Sequence, residues 1–551
     1  MGAKSWQEIA AAKRVAILDS IPREFIIPDL PTPEQQRDVT GTFVHKYLNP
    51  REIEITETDA VGIVAKTATG EWTAVEVTKA FIHRASIAHQ LTNCLHETAF
   101  PAALEAAAAL DLHFSQTKKP LGPLHGLPVS LKDQFHVKGL ETSMGYVGWL
   151  GTFEGRAPPH PDYPANTTES VMVGELRRLG AVIYVKTAVP HTLMCGETVN
   201  NIIGYTLSPT NRLLSSGGSS GGEGALIALK GSPCGFGTDI GGSIRIPAAF
   251  NGIYGIRPSA GRLPYEGMAN SMDGQNSVLS VVGPLAGSVA GLRMLVKAIL
   301  STSPWDEDPM VVEIPWREEK EKAVAGKEKL VFGVIRDDGV VGVTPPIKRA
   351  INIAVEKLKA AGHEVIEWQP PSHADILDCC AATWLYDGGR DTIAAFALSG
   401  EPQAPHVTLP FPDPLPQEFT ATAIAANNVR KRRLQKAYLD YWNSTRADFV
   451  LAPVAPFPAA RPTLYRYYGY SMWVNLLDYT SVVVPVTRVD KSVDGVDAGY
   501  EPRGELDAET QKSYDPDVYD GAPVALQLVG RRLEEEKMLR VAEVVDAVLR
   551  K

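Results

Sequence analysis

The sequence twice repeats a helix–glycine–strand pattern, and no other feature constrains the fold as strongly. Residues 169–179 have the composition of a helix, Gly180 follows, and the apolar run 181–185 is typical of a buried strand. The same order returns over residues 347–368. Glycine is favoured between the two elements because it adopts the left-handed conformation that ends a helix. We therefore predict an α/β fold with a central mixed, largely parallel β-sheet covered by helices on both faces.

Two glycine-rich segments each carry a serine. Ser219 lies in segment 217–224 and Ser243 in segment 237–245. Glycines allow backbone N–H groups to approach a substrate closely, so each serine hydroxyl has bare amides beside it, as a nucleophile and its oxyanion hole require. Segment 217–224 lacks the lysine of a phosphate-binding loop, and a flexible linker would seldom run directly into the apolar residues 225–229.

A lysine upstream has an unusual setting. Residues 126–133 form a short apolar run that predicts a strand, and Lys132 stands at its end. A single lysine is usually a solvated surface charge. At the end of a buried strand it becomes a candidate for a desolvated lysine whose pKa is lowered enough to act as a base.

Lys132, Ser219 and Ser243, in this order and in these settings, resemble the amidase signature family. The resemblance is specific, because it continues through further segments of the chain. These are residues 122–128, 186–187, 217–258, 283–285 and 523–527. At closer range the whole chain resembles the fungal acetamidase branch of that family, through residues 91–94, 141–146, 197–204 and 475–481.

The resemblance implies roles for the three residues. Ser243 would be the nucleophile, Ser219 would relay protons after a cis peptide bond with Gly218, and a neutral Lys132 would be the base. The acyl-enzyme formed on Ser243 would then be hydrolysed by water. Backbone amides would form the oxyanion hole, those of Ile240, Gly241, Gly242 and Ser243.

Residues around this site have open roles. Asp239 and Arg245 flank the second serine turn, and we expect them to hold it in place, paired with one another; the alternative is that Arg245 binds a substrate carboxylate. Family geometry would build the acyl pocket from residues 144–149, 190–194 and 470–473, with Leu193 foremost. Several of these side chains are bulky, which favours a short acyl group.

The family resemblance implies an amidase that cleaves small primary carboxamides, such as acetamide, to carboxylate and ammonia. Two alternatives stay open: a hydrolase of larger arylacetyl or fatty acid amides, and the ammonia-releasing subunit of a tRNA-dependent amidotransferase. The motif segments extend across nearly the whole chain. We therefore expect residues 1–551 to form a single amidase domain, with an N-terminal helical arm at 1–60 and a catalytic core at 61–545.

Composition restricts the partners. The 551 residues carry a formal charge of −10, and no basic stripe stands out, which argues against nucleic acid. No run approaches about 20 apolar residues, so no membrane span is expected. The 12 histidines lack metal-ligand spacing, and neither a metal nor a cofactor is implied. A small-molecule amide is the expected partner, for a monomer or homodimer.

The cysteines favour a reducing compartment. Five cysteines in so long a chain, two of them adjacent at 379 and 380, form no disulfide framework. Cys195 could be imagined as a nucleophile, but a buried structural thiol explains it better. The N-terminal residues lack the apolar core of a secretory signal. We therefore expect a cytoplasmic protein.

Overall fold

A large β-sheet runs through the centre of the structure, a computed structural model that describes residues 4–156, 167–403 and 415–551. In chain order the strands are β1 (Leu95–Thr98), β2 (Pro128–Lys132), β3 (Val182–Thr187), β4 (Val199–Asn200), β5 (Gly204–Tyr205), β6 (Leu207–Ser208), β7 (Asn211–Ser215), β8 (Cys234–Asp239), β9 (Tyr254–Arg257), β10 (Val281–Ala286), β11 (Val331–Val334), β12 (Glu364–Glu367), β13 (Phe449–Pro453), β14 (Ser481–Arg488) and β15 (Pro523–Val529).

Eleven of these strands form one sheet, in the order β1-β3-β2-β8-β10-β9-β14-β15-β13-β11-β12. Parallel pairs form two blocks, β3–β2–β8 and β13–β11–β12. The strands between the blocks pair antiparallel, and β1 pairs antiparallel with β3. The predicted α/β class with a mixed sheet is confirmed, and the parallel pairing is concentrated in the two blocks.

Helices cover both faces of this sheet. Successive strand residues point to opposite faces, and every residue of β2, β3, β8, β10, β13 and β15 is buried. None of the described helices is long and apolar enough to cross a membrane. The helices are α1 (Trp6–Asp19), α2 (Thr42–His45), α3 (Pro50–Glu57), α4 (Ala60–Thr67), α5 (Ala74–Thr92), α6 (Phe100–Thr117), α7 (Val171–Arg178), α8 (Gly221–Ala228), α9 (Arg245–Asn251), α10 (Val289–Leu300), α11 (Glu318–Ala325), α12 (Pro345–Ala360), α13 (His373–Thr383), α14 (Arg390–Ala397), α15 (Ala421–Ser444), α16 (Gly469–Leu477), α17 (Glu505–Ser513), α18 (Pro516–Tyr519) and α19 (Glu535–Leu549).

The helix–glycine–strand pattern is present at both predicted places. Helix α7 is followed by Gly180 with φ +88° and then by β3, and α12 is followed by Gly362, also with φ +88°, and then by β12. Both strands belong to the parallel blocks, β3 beside β2 and β12 beside β11. A helix between two strands returns the chain to the starting edge of the sheet, which makes the strands parallel.

The candidate site residues lie at one edge of the first parallel block. Strands β2 and β8 are parallel neighbours, and they end at Lys132 and Asp239. Their carboxyl ends therefore meet at the same edge, where open α/β sheets place their ligands. The turn from β7 to α8 carries Ser219, and the turn from β8 to α9 carries Ser243.

A buried arginine ties the last helix to the rest of the chain. Arg262 is fully buried; its Nε donates to Glu535 Oε2 at 3.1 Å and its Nη2 to Glu536 Oε1 at 2.5 Å. The two carboxylates stand in the first turn of α19, where the helix dipole favours negative charge. Loss of the guanidinium would leave two buried carboxylates without this partner.

We predict that Arg262→Met lowers the free energy of unfolding by about 3–5 kcal/mol, because it breaks a buried ion pair from one side. Arg550→Met is the matched control, since Arg550 pairs with Asp546 but keeps 67% of its side chain exposed. An exposed pair contributes about 0–1 kcal/mol. Equilibrium urea unfolding measures both values, and equal losses for the two variants would contradict this account of α19.

Candidate active site

Lys132 ends strand β2 with its amino group inside the protein. The side chain is fully buried, and Nζ donates to Ser219 Oγ and to Thr238 Oγ1, each at 2.7 Å. Burial lowers the pKa of Lys132 to about 7, against the attraction of the Asp239 and Glu223 carboxylates. A lysine with this pKa is partly neutral near neutral pH and can accept a proton.

Two further polar residues fix the direction of this lysine. Thr238 Oγ1 donates to Gln134 Oε1 at 2.7 Å, and Gln134 Nε2 donates to Tyr265 OH at 2.8 Å and Asn270 Oδ1 at 3.0 Å. Since the Thr238 proton goes to Gln134, its oxygen is left to accept from Lys132. Neither Thr238 nor Gln134 is predicted from the sequence. Thr238 stands inside the motif segment 217–258 and Gln134 directly follows the run 126–133, but the pattern does not show where their side chains point.

Ser219 lies in the tight turn that precedes α8. The Gly218–Ser219 peptide bond is cis, as the family resemblance implies. A Cβ on Gly218 would lie 2.5 Å from the Cys195 carbonyl oxygen and 2.6 Å from that of Glu197. Only glycine therefore allows the turn to pass this close to residues 195–197.

Ser243 lies in the neighbouring turn, between β8 and α9. The Ser220 N–H donates to the Ser243 carbonyl oxygen at 3.1 Å, so the two glycine-rich turns are in contact. Ser243 keeps 7% of its surface exposed and Ser219 keeps 1%, so Ser243 is the more accessible of the two serines. Among the described residues, no hydrogen bond joins the two serine hydroxyls.

A buried ion pair holds the second turn. Arg245 Nε and Nη2 donate to the two Asp239 carboxylate oxygens, each at 3.0 Å. The other guanidinium hydrogens go to Ser471 O, Gln527 Oε1 and Asn475 Oδ1 at 2.7–3.0 Å. Arg245 is completely buried, so its guanidinium has neither free donors nor access for a substrate carboxylate. The predicted pairing of Arg245 with Asp239 is confirmed, and its alternative role as a clamp does not fit this geometry.

The four predicted oxyanion donors are not equivalent. The amide of Gly242 donates to Asp239 Oδ1 at 2.9 Å, which differs from its predicted role because the carboxylate already occupies that N–H. Gly242 has φ +126°, and a Cβ there would come within 2.7 Å of Ile246 and Ser471. In the described part of the chain, the amides of Ile240, Gly241 and Ser243 donate to no acceptor.

A small cavity adjoins Ser243. Its volume is about 10 Å³, room for about one water molecule. Leu193, which the family resemblance assigns to the acyl pocket, lines this cavity. Trp384 and Tyr468, which meet edge to face and are not predicted from the sequence, line it as well. A Cβ on Gly241 would lie 2.7 Å from the Trp384 ring, so this indole packs directly on the turn that carries Ser243. The remaining wall is formed by Met194, Cys195, Gly218, Ile240 and Ile246.

The other predicted pocket segments stand one layer further back. Met144 and Tyr146 share an apolar cluster with Leu193, and Met472 shares one with Trp384, but none of the three lines the cavity. Trp384 is not predicted from the sequence, since it follows α13 in a region without a motif. Its position depends on how α13 packs against α16, a contact between distant parts of the chain.

The cysteines and the acidic groups add no competing centre. All five cysteines are buried free thiols, and burial raises the pKa of the Cys195 thiol, which disfavours a reactive thiolate. Within the described ranges, no group of three or more His, Cys, Asp or Glu residues could hold a metal ion. Asp133, next to the lysine in sequence, is paired with Lys186 at 3.0 Å.

Comparison with known proteins agrees with this geometry. The sequence model of the family described as Amidase matches residues 76–539. The chain is 45% identical to an acetamidase of Emericella nidulans, over 99% of this chain and 98% of that protein, and 46% identical to an acetamidase of Aspergillus oryzae over 100% of both. A solved structure of a fatty acid amide hydrolase superposes with a TM-score of 0.92 at 34% identity, covering 99% of this chain and 95% of that one. The chain thus belongs to the amidase family, whose members hydrolyse amides.

Proposed function

We propose that this amidase cleaves small primary carboxamides, such as acetamide, to carboxylate and ammonia through an acyl-enzyme on Ser243. One observation carries the proposal. A buried lysine with a lowered pKa donates a hydrogen bond to Ser219, and the Ser219 turn touches the turn of Ser243, which opens into a small cavity.

Formation of the acyl-enzyme begins with a bond between Ser243 Oγ and the amide carbon. The Ser243 proton moves to Ser219 Oγ, and the Ser219 proton moves to the neutral Lys132 Nζ. The two serine hydroxyls are not yet hydrogen-bonded, but catalytic hydrogen bonds are often long without substrate and shorten when it binds. The product of this step is a tetrahedral oxyanion and a Lys132 ammonium.

Collapse of the tetrahedral species breaks the C–N bond. Ser219 gives its proton to the departing nitrogen and recovers one from Lys132, so ammonia leaves and the lysine is neutral again. Water then attacks the acyl carbon and gives one proton along the same route to Lys132. That proton returns through Ser219 to Ser243 Oγ as the ester bond breaks, and the carboxylic acid formed loses its remaining proton to solvent and leaves as the carboxylate. Every proton taken up by Lys132 is thus returned within each half of the cycle.

The negative oxygen is stabilised by backbone amides. Those of Ile240, Gly241 and Ser243 are free to donate, and the loss of one such donor typically costs about 3–4 kcal/mol. The buried Asp239–Arg245 ion pair holds the turn between β8 and α9 that carries these amides. Gly242 serves the turn by donating to Asp239, so we assign the oxyanion to the other three amides.

The cavity and the relatives support a short acyl group. The space beside Ser243, about 10 Å³ with Trp384 in its wall, holds about one water molecule, so a short acyl group needs less rearrangement of the wall than a long one. The chain is similar over its full length to two fungal acetamidases. A hydrolase of larger amides is the second candidate, because the superposed fatty acid amide hydrolase shares nearly the whole fold. The two candidates share one chemistry and differ in the length of acyl group that the wall formed by Trp384 would admit.

The base assignment predicts a pH dependence. Lys132 is active when neutral, so kcat/KM for acetamide should rise as the pH increases through about 7, the pKa to which burial lowers this lysine. Lys132→Ala should lose at least about 10²–10⁴-fold, the usual contribution of general acid–base catalysis. Ammonia release across this pH range is the measurement. A Lys132→Ala protein with wild-type rates and the same acidic limb would overturn the assignment.

The pocket assignment predicts a change in acyl preference. Trp384→Ala should raise kcat/KM for hexanamide relative to acetamide by about tenfold or more, since each buried CH₂ contributes about 0.8 kcal/mol. Trp442→Ala is the matched control, because Trp442 is buried in the same apolar cluster but does not line the cavity. If both variants gave the same ratio, or if the wild type preferred hexanamide, a small-acyl pocket closed by Trp384 would be wrong.

A further inference from the structure

One buried carboxyl group near the proposed base Lys132, that of Glu223, has no role in the mechanism described above. Glu223 stands in the first turn of α8 and is fully buried. Its Oε2 accepts from Ser130 Oγ at 2.6 Å, and its Oε1 accepts from Thr187 Oγ1 at 2.8 Å. In the part of the chain that the structure describes, no lysine or arginine forms an ion pair with it. Burial raises the pKa of Glu223 to about 7, against these two hydrogen bonds and the attraction of Lys132, so above neutral pH the group is a charged carboxylate.

The two hydroxyl donors place Glu223 next to Lys132. Ser130 precedes Lys132 by two residues on β2, so both side chains project from the same face of the sheet. Thr187 is the register partner of Lys132 in the parallel pairing of β2 with β3. The carboxyl group therefore lies on the lysine's face of the sheet and is held by the lysine's own neighbours.

Strand β8, which lies on the other side of β2 from β3, leaves room for the Glu223 carboxyl group. Gly235 on β8 pairs with Ser130, and a Cβ on Gly235 would lie 1.9 Å from Glu223 Oε2 and 2.3 Å from Ser130 Oγ. No side chain larger than hydrogen fits there. Strands β2 and β3 thus supply the hydroxyl donors to Glu223, and β8 leaves the space that its carboxyl group occupies.

The other charged groups near Glu223 and Lys132 already have partners. Asp239, the other carboxylate that acts on Lys132, is paired with Arg245 of α9, and Lys186 on β3 is paired with Asp133. Lys132 is left as the one group of opposite sign that acts on Glu223 among the described residues. The remaining groups stay uncharged because burial raises their pKa, namely Cys94 after α5, Tyr184 on β3 and Cys234 on β8.

We propose that Glu223 is a positioning residue that supplies the counter-charge for Lys132 at the moment when the lysine takes up the proton from Ser219. No proton passes to Glu223 in this step. Its carboxylate stays hydrogen-bonded to Ser130 and Thr187, and it stabilises the buried ammonium as the tetrahedral oxyanion forms. The inference rests on the proposed role of Lys132 as the base.

The experiment compares pH profiles of kcat/KM and kcat for acetamide in the wild type and in Glu223→Gln. Without the carboxylate the lysine holds its proton less tightly, so the acidic limb should move to lower pH by about one unit or more, as expected for loss of a nearby opposite charge. On the alkaline plateau kcat should fall by about tenfold, because the ammonium formed during acylation is less stable. A merely structural role would lower kcat without moving the limb.

Two further variants keep the test decisive. Glu175→Gln is the control, since Glu175 is a fully buried carboxyl group on α7, away from Lys132. The acidic limb of the pH profile should stay in place in this variant. Ser130→Ala removes one donor to the carboxylate and should move the limb in the same direction by a smaller amount, which answers the question if Glu223→Gln does not fold.

The outcomes separate this inference from the proposed function. If the acidic limb of the wild type persists in Lys132→Ala, the proposed base is wrong and the inference fails with it. If that limb belongs to Lys132 but stays in place in both Glu223→Gln and Ser130→Ala, Glu223 is not the counter-charge and the proposed function stands.

Discussion

The hydrogen bond from the buried Lys132 to Ser219 is the interaction on which the rest of the site depends. An ammonium group costs free energy in the interior, so burial favours the neutral amine and lowers the pKa of this lysine to about 7. Thr238 and Gln134 then fix the direction in which the amine points. The proposed role of Lys132 as a base depends on this position, because the same side chain on the surface would stay protonated.

The two carboxyl groups nearest to Lys132, those of Asp239 and Glu223, are held in different ways. The ion pair of Asp239 with Arg245 is fully enclosed, and Asp239 accepts from the amides of Gly242, Ile244 and Arg245 in the turn that carries Ser243. Neither of the two charges lines the cavity. Among the residues that the structure describes, the carboxyl group of Glu223 has no ion-pair partner, and we propose that its charge acts on the lysine.

Local patterns predict part of this structure. The helix–glycine–strand units, the end of β2 at Lys132 and the two serine turns follow from short-range preferences that need no tertiary contact. The antiparallel middle of the sheet does not, because its strands are paired by long connections. The same holds for Trp384, which reaches the cavity from a distant helix, and for the Gly242 amide, whose use by Asp239 depends on side-chain direction.

The central claim is that Ser243 carries the acyl group and Ser219 only relays protons. Labelling the protein with a fluorophosphonate, followed by intact-protein mass spectrometry and peptide mapping, tests it most directly. The account predicts one adduct per chain, on the peptide that contains Ser243, with no label in Ser243→Ala and slower labelling of the same serine in Ser219→Ala. An adduct on Ser219, or a Ser243→Ala protein that still hydrolyses amides, would contradict it.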